Sequence, residues 1–416
     1  MDRRALRAWR FRIFTVSWLT YAAYYLGRVN LAVALPAIRD QYQWSKASVG
    51  LIGSALYWVY ALGQLVNGHL GDRHSARRLV AIGLAASALL NLIFGTLASL
   101  PAMVAVWALN GWAQSTGWGP MMKTLSQWFE PSQRSKLTAL FTPCYVVGHA
   151  LSWALAGWLV SSQGWRYGFW VPAGILLTFA LLWYVLARDG PRQVVSQASR
   201  DDSAGGLRIS LARSLSTVIR RPELRWALIA CFLSGMIKDG LTLWGPTYLM
   251  EEQGLDLASA ALTGMLIPLS GAAGAVSAGW LVHRVSKGQE SPVVAGLGAL
   301  IGLAAMGLYQ TGAGEQGWLG LVLLAGIALG SHGMNALLMT SVPLRLGPGG
   351  SVSSAAGALD FASYVGGGLS VALVGALQDL HGWGAIYGWW VAVAVAIAIL
   401  ACTELSQSRR RAPATP

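Results

Sequence analysis

The stretch GHALSWALAG at residues 148–157 returns as GGGLSVALVG at residues 366–375, 218 positions later, with six of ten residues identical. Gly164-Trp165 returns as Gly382-Trp383 at the same spacing. GHLGDR at 68–73 has a weaker counterpart in GWLVHR at 279–284, 211 positions on. Ordered matches at nearly one offset mark an internal duplication. The small drift between 211 and 218 is what a change in loop length between the motifs produces. The chain therefore reads as two related halves.

Each half is built of apolar runs. Across 416 residues only 11% are charged and 55% are hydrophobic, where a soluble domain carries about 25% charge. Mean hydropathy is +0.50. Runs long enough to cross ~30 Å of hydrocarbon fall near 12–37, 48–69, 79–99, 102–127, 138–161, 166–187, 226–249, 257–282, 292–311, 317–342, 352–377 and 383–402. All twelve read as helices, because an open sheet leaves backbone groups unsatisfied in lipid. The 50 glycines suit helices that approach closely. The expected fold is an all-α membrane protein of twelve spans in two parallel six-helix halves. The halves are expected at 1–188 and 226–403, with a linker at 189–225 and a basic, disordered tail at 404–416. The first run follows Arg3, Arg4, Arg7, Arg10 and Arg12 but lacks a small-residue cleavage site, so it reads as an uncleaved span.

The net charge of +13 is explained by where the cations fall. With the N-terminus inside, 24 of the 30 Lys and Arg lie in inner segments, three in outer loops and three within spans. That bias sets both termini in the cytoplasm of a cell that carries this chain in its inner membrane. The basic flanks meet anionic membrane lipid, so nucleic acid is not an expected partner. Cys144, Cys231 and Cys402 are far apart and read as small buried hydrophobes. Neither a metal motif nor a nucleophile motif occurs, so the chain is not expected to be an enzyme or to hold a cofactor.

Ionisable groups inside spans carry the functional signal, since each is costly there. Arg28 in the first span and Lys238 in the seventh are 210 positions apart, matching the repeat, and each lies near mid-span. Two such cations favour a small anion: Arg offers a planar fork for oxyanions, Lys a point charge. Internal neutralisation of Lys238 by Asp239 or Asp360 is the other reading. Asp360 is a candidate partner for Lys238, proton carrier or helix–helix hydrogen bonder. Adjacent helical residues point about 100° apart, so Lys238 and Asp239 cannot both face the same spot. His149 and His332 read chiefly as polar packing, with His149 a candidate proton carrier. Lys123 is placed to snorkel. Tyr21, Tyr24, Tyr25, Tyr60, Tyr145 and Tyr364 lie at mid-span depth, where a hydroxyl lines a cavity or a ring fills the core.

Parallel halves of this kind build the major facilitator architecture, with a site near the bilayer midplane. YAAYYLGRVN at 21–30 resembles the first-helix motif of the organophosphate:phosphate antiporters. Trp118-Gly-Pro120 with Lys123 and Trp128, Trp244-Gly-Pro246, and the segment from Ala355 through Tyr364 to Gly367 resemble the same family. The resemblance implies that a pair of cations, one per half, binds a phosphoryl group. Arg28 matches the first position, and Lys238 stands where the family has a second arginine. Val29 and Gln64 stand where some members carry lysine, and Tyr145 where some carry histidine. Gly68, Asp72, Arg73, Arg77 and Arg78 fit the superfamily's loop motif, which implies a gating latch. The expected function is secondary transport of a small phosphorylated or phosphonate-like anion by a monomer, with inorganic phosphate or a proton as coupling species. A proton-coupled carboxylate or sugar-acid symporter, using Asp360 or His149, and a transporter-like sensor are the alternatives.

Overall fold

The computed structural model describes residues 3–130, 143–190, 222–311, 317–344 and 352–411, with 133, 137, 140 and 141 between the first two stretches. Among these the regular structure is helical: α1 (Arg3–Leu26), α2 (Asn30–Tyr42), α3 (Lys46–Arg73), α4 (Ala76–Phe94), α5 (Leu100–Gln114), α6 (Trp118–Trp128), α7 (Pro143–Gln163) and α8 (Tyr167–Leu186). There follow α9 (Pro222–Glu251), α10 (Leu257–Gly264), α11 (Leu266–Arg284), α12 (Ser291–Thr311), α13 (Gly317–Leu344) and α14 (Val352–Arg411). Three expected spans are broken: the first into α1 and α2, the fourth into α5 and α6, the eighth into α10 and α11. The last two spans run together as α14, whose 60 residues are interrupted at Gly382 with φ 69° and ψ −170°. An unbroken helix of that length would reach about 90 Å, so two spans must share it. Among the described residues, nine helices are individually long and apolar enough to cross a membrane. The eighth span still counts among them, so the breaks in the first and fourth spans and the merger of the last two account for the difference from twelve.

The chain divides into two compact units, Met1–Tyr42 with Ala55–Ser210, and Gln43–Ser54 with Leu211–Pro416. The first turns of α3 thus pack with the second unit. Asp379 accepts the backbone N–H groups of Lys46 and Ala47 at 3.1 and 2.8 Å, which satisfies orphan donors at the helix start. Glu251 takes the Lys46 ammonium at 2.8 Å and the Trp383 indole N–H at 3.0 Å. These partners are more than 200 residues from α3 in the chain, so no local pattern announces them.

Other boundaries also differ from expectation. The seventh span begins at Pro222, inside the stretch read as linker, and the last helix continues to Arg411 through most of the stretch read as a disordered tail. Residues 191–221 of the linker lie outside the described residues.

The repeated decapeptide has a packing role in both units. Gly148 on α7 lies against the backbone of Ala22 on α1. Gly366, its counterpart on α14, lies against the backbone of Phe232 on α9, which is 210 positions after Ala22. At either glycine a Cβ would fall closer than 3.0 Å to a carbonyl oxygen. Small residues at these crossings let the helices approach, the usual device where lipid supplies no hydrophobic drive between them. A second tie follows: the Trp153 indole donates to the Val29 carbonyl at 3.2 Å, and the Trp244 indole donates to the Val371 carbonyl at 3.0 Å. Val371 stands at the repeat position of Trp153, so the crossing is kept while the donor changes helix.

Alanine normally stabilises a helix relative to glycine by about 1 kcal/mol. Here the sign reverses: Gly148→Ala and Gly366→Ala should each lower stability by about 1–3 kcal/mol through overpacking. Gly388→Ala, where a Cβ meets nothing within 4 Å, should not. Thermal unfolding in detergent checks this, and equal behaviour of the three variants would remove the close-approach argument.

Candidate functional site

Arg28 sits in a break, not in a helix. Residues 27–29 separate α1 from α2, and the Arg28 N–H still reaches the Tyr25 carbonyl at 3.2 Å. A break at membrane depth needs protein partners for the backbone groups it frees. The Gly27 carbonyl accepts the side-chain amides of Asn91 at 3.1 Å and Asn110 at 2.9 Å. Asn30 donates to Asn91 Oδ1 at 3.1 Å and to the Gly168 carbonyl at 2.9 Å. Ser87 donates to Asn110 Oδ1 at 2.7 Å and accepts from Gln114 at 2.8 Å. All of these side chains are buried. The network holds the turn open and fixes where Arg28 leaves the backbone. Buried amides scattered through apolar runs were its sequence signal, and only their convergence gives them meaning.

The Arg28 guanidinium lies over the Tyr60 ring at 4.1 Å and near the Tyr25 ring at 5.6 Å. Gln64 donates to the Tyr60 hydroxyl at 2.8 Å. Tyr25 is flanked by Tyr145, with centroids 6.3 Å apart, and by His149, stacked at 6.0 Å. His149 in turn meets the Trp153 ring edge-on at 4.7 Å. Aromatic faces stabilise a cation by their quadrupole, by about 2 kcal/mol or more when desolvated. A guanidinium also carries N–H groups of the kind that suit an anion. Tyr24 is not part of this group: its hydroxyl donates to the Val80 carbonyl at 3.2 Å and lies 3.1 Å from the Thr116 hydroxyl, inside the core. Tyr21 packs against Trp118 and Phe141 in the same core.

In the second unit Lys238 lies on α9, which stays helical through it, so the two cations differ in backbone setting. Its ammonium is 3.0 Å from Asp239 Oδ1 and 5.0 Å from the centroid of the Tyr364 ring. The internal neutralisation weighed for Lys238 thus has a partner in Asp239. Adjacent Cβ atoms diverge, and the flexible four-carbon stem of lysine still reaches the neighbouring carboxylate. The Asp239 carboxylate packs onto Gly367, where a Cβ would collide with it. Asp360 is half-buried on α14. His332 bonds the Ala328 carbonyl one turn back at 3.0 Å and packs against Gly271.

The superfamily loop motif lies largely on helix. Gly68, Asp72 and Arg73 belong to the last turns of α3, and their side chains lie outside the described residues. Arg77 donates its backbone N–H to Asp189 at 2.7 Å, its guanidinium bonds the Tyr184 carbonyl, and it stacks on the Tyr184 ring at 4.6 Å. Lys123, read as a snorkelling group, donates to the Gly71 carbonyl at 2.7 Å and so braces the end of α3.

The sequence pattern described as Major Facilitator Superfamily matches residues 17–371. The chain belongs to that superfamily. It is 27% identical to a probable hexose phosphate transport protein of Chlamydia pneumoniae, over 97% of this chain and 91% of that one. It is 26% identical to the glycerol-3-phosphate transporter of Bacillus subtilis (strain 168), over 91% and 88%. It is 28% identical to the membrane sensor protein UhpC of Escherichia coli (strain K12), over 69% and 68%. These similarities agree with the resemblance carried by residues 21–30. Among solved structures, a bacterial homologue of the human lysosomal transporter Spinster superimposes with a TM-score of 0.75 at 16% identity, covering 95% of each chain. That likeness supports the fold alone.

The Lys238–Asp239 pair gives a direct test. Lys238→Gln should lower stability by about 3–5 kcal/mol, because it removes the cation beside a buried carboxylate. Lys238→Gln combined with Asp239→Asn should recover most of the loss in thermal unfolding. A double variant no more stable than the single one would show that the pair is not the unit that matters.

Proposed function

We propose that this multi-pass membrane protein transports a small phosphorylated anion, with a hexose phosphate or glycerol phosphate as the substrate class, by alternating access. One observation carries the reading: a guanidinium held at an opened turn inside the first span, stabilised by the faces of Tyr60 and Tyr25. A planar guanidinium fork matches a pair of phosphoryl oxygens. The similarity to a hexose phosphate transport protein over nearly the whole chain supports the same substrate class. Arg28 and Lys238 are the two cations assigned to the substrate, with Tyr25, Tyr60, Tyr145 and Tyr364 as hydroxyl or ring contacts. Tyr24 drops to a structural role, because its hydroxyl is engaged in the core. Inorganic phosphate is the counter-substrate. The 24-to-3 distribution of cations supports cytoplasmic termini in a bacterial inner membrane.

A second reading is favoured by the Lys238–Asp239 pair. A phosphoryl group must compete with Asp239 for the ammonium, and a proton on Asp239 would release it. Proton-linked transport of an anion therefore has a residue to carry it, and Asp239 fits that role more directly than Asp360 or His149. A sensing role has its own support in the similarity to a membrane sensor protein.

The purified protein should be heated with inorganic phosphate, glucose 6-phosphate, glycerol 3-phosphate, a phosphonate or gluconate. A ligand that binds only the folded state raises stability by RT ln(1 + [L]/Kd), about 2.7 kcal/mol at a hundredfold excess over Kd. Stabilisation by the phosphate esters and phosphate but not by gluconate is expected. Stabilisation by gluconate alone would overturn the phosphate reading. Flux in liposomes, with and without a proton gradient, then separates exchanger, symporter and sensor.

A further inference from the structure

Where α1, α6 and α8 come together, five aromatic and basic side chains form a cluster that substrate transport does not use. Trp9 on α1 stacks on Trp128 at the end of α6, with centroids 5.7 Å apart and planes 19° from parallel. The Trp128 indole donates to the Arg188 carbonyl just past α8 at 2.9 Å. Arg10 secures the other side, donating to the Trp128 carbonyl at 2.8 Å and pairing with Glu130 at 3.1 Å. Two further guanidiniums converge on the one Trp9 ring: Arg188 lies 4.2 Å from its centroid and Arg12 lies 4.8 Å from it. Neither guanidinium has a carboxylate or hydrogen-bond partner among the described residues. The nearby Glu130 is held by Arg10.

Two like charges gathered over one ring repel each other, and a shared anion relieves that repulsion. Beside them the surface turns apolar: Phe11 is 73% exposed and Val185 59% exposed. We infer that Arg12 and Arg188, stacked on Trp9, form a headgroup site for an anionic phospholipid. Its phosphate bridges the two guanidinium forks, and its acyl chains run along the exposed apolar side chains toward the membrane interior. The end of the bundle is right for this. It carries the basic flank of α1, and basic pockets between spans near the cytoplasmic surface attract anionic headgroups. Aromatic residues at that depth fix the height of the site in the interface. A choline headgroup would bring a third cation to the pair and should be rejected. The site is separate from the Arg28 group, so it stands or falls independently of the substrate.

Native mass spectrometry of the delipidated full-length protein tests this, with titrations of phosphatidylglycerol, phosphatidylcholine and inorganic phosphate. The first phosphatidylglycerol should bind about tenfold or more tightly than phosphatidylcholine. Arg12→Gln with Arg188→Gln should weaken that first binding by about tenfold, while Arg225→Gln with Arg284→Gln, which removes the same charge elsewhere, should change it by less than about threefold. Equal losses in the two double variants would reduce the effect to diffuse charge and overturn the site. Equal binding of the two lipids would also overturn it. Displacement of the lipid by inorganic phosphate at matching concentration would reassign the site to a soluble anion. If the glutamine variant does not fold, Arg12→Lys with Arg188→Lys keeps the charge and loses the planar stack. Unchanged affinity in that variant would contradict the stacked-guanidinium geometry.

Discussion

A guanidinium inside a membrane protein must be stabilised, and the first unit is organised around that requirement. Aromatic faces solve this electrostatically, placing Tyr60 and Tyr25 against the cation. The solution depends on the turn at residues 27–29, and the turn depends on amides from α4 and α5 that take the Gly27 carbonyl. The close crossing of α1 and α7 at Gly148 brings Tyr145 and His149 beside Tyr25. Backbone, core and site in this unit are thus one arrangement.

The second unit repeats the scaffold but not the chemistry. Gly366 makes the same crossing as Gly148, yet α9 runs unbroken and Lys238 is paired with Asp239. Duplication supplied two equivalent positions for a cation, and the two have diverged. One is a fork on aromatic rings, and the other is an ammonium with a carboxylate at 3.0 Å. That asymmetry separates this chain from a symmetric two-arginine clamp.

Much of the fold was legible in the sequence, because repeats and apolar runs are written in consecutive residues. The decapeptide at 148–157 and 366–375 marked the duplication and, as the structure shows, the helix crossings themselves. Arg28 was legible because a cation in an apolar span is conspicuous. The amide network was not, since Asn30, Asn91, Asn110 and Gln114 are each unremarkable alone and acquire a role only through contacts across four elements. The Lys238–Asp239 pair was one of two neutralisations the sequence left open, because helical geometry fixes Cβ directions and not the reach of a long side chain. The attachment of Gln43–Ser54 to the second unit rests on Asp379 and Glu251, too distant in sequence for any local pattern to reveal.

Binding of the proposed substrate rests on Arg28. Isothermal titration of glucose 6-phosphate into the wild-type protein, Arg28→Lys and Arg28→Ala measures this most directly. Weakened but measurable binding to the lysine variant is expected, since it keeps the charge and loses the fork. No measurable binding to the alanine variant is expected, with folding intact by thermal unfolding. A well-folded Arg28→Ala protein that binds with unchanged affinity would contradict it.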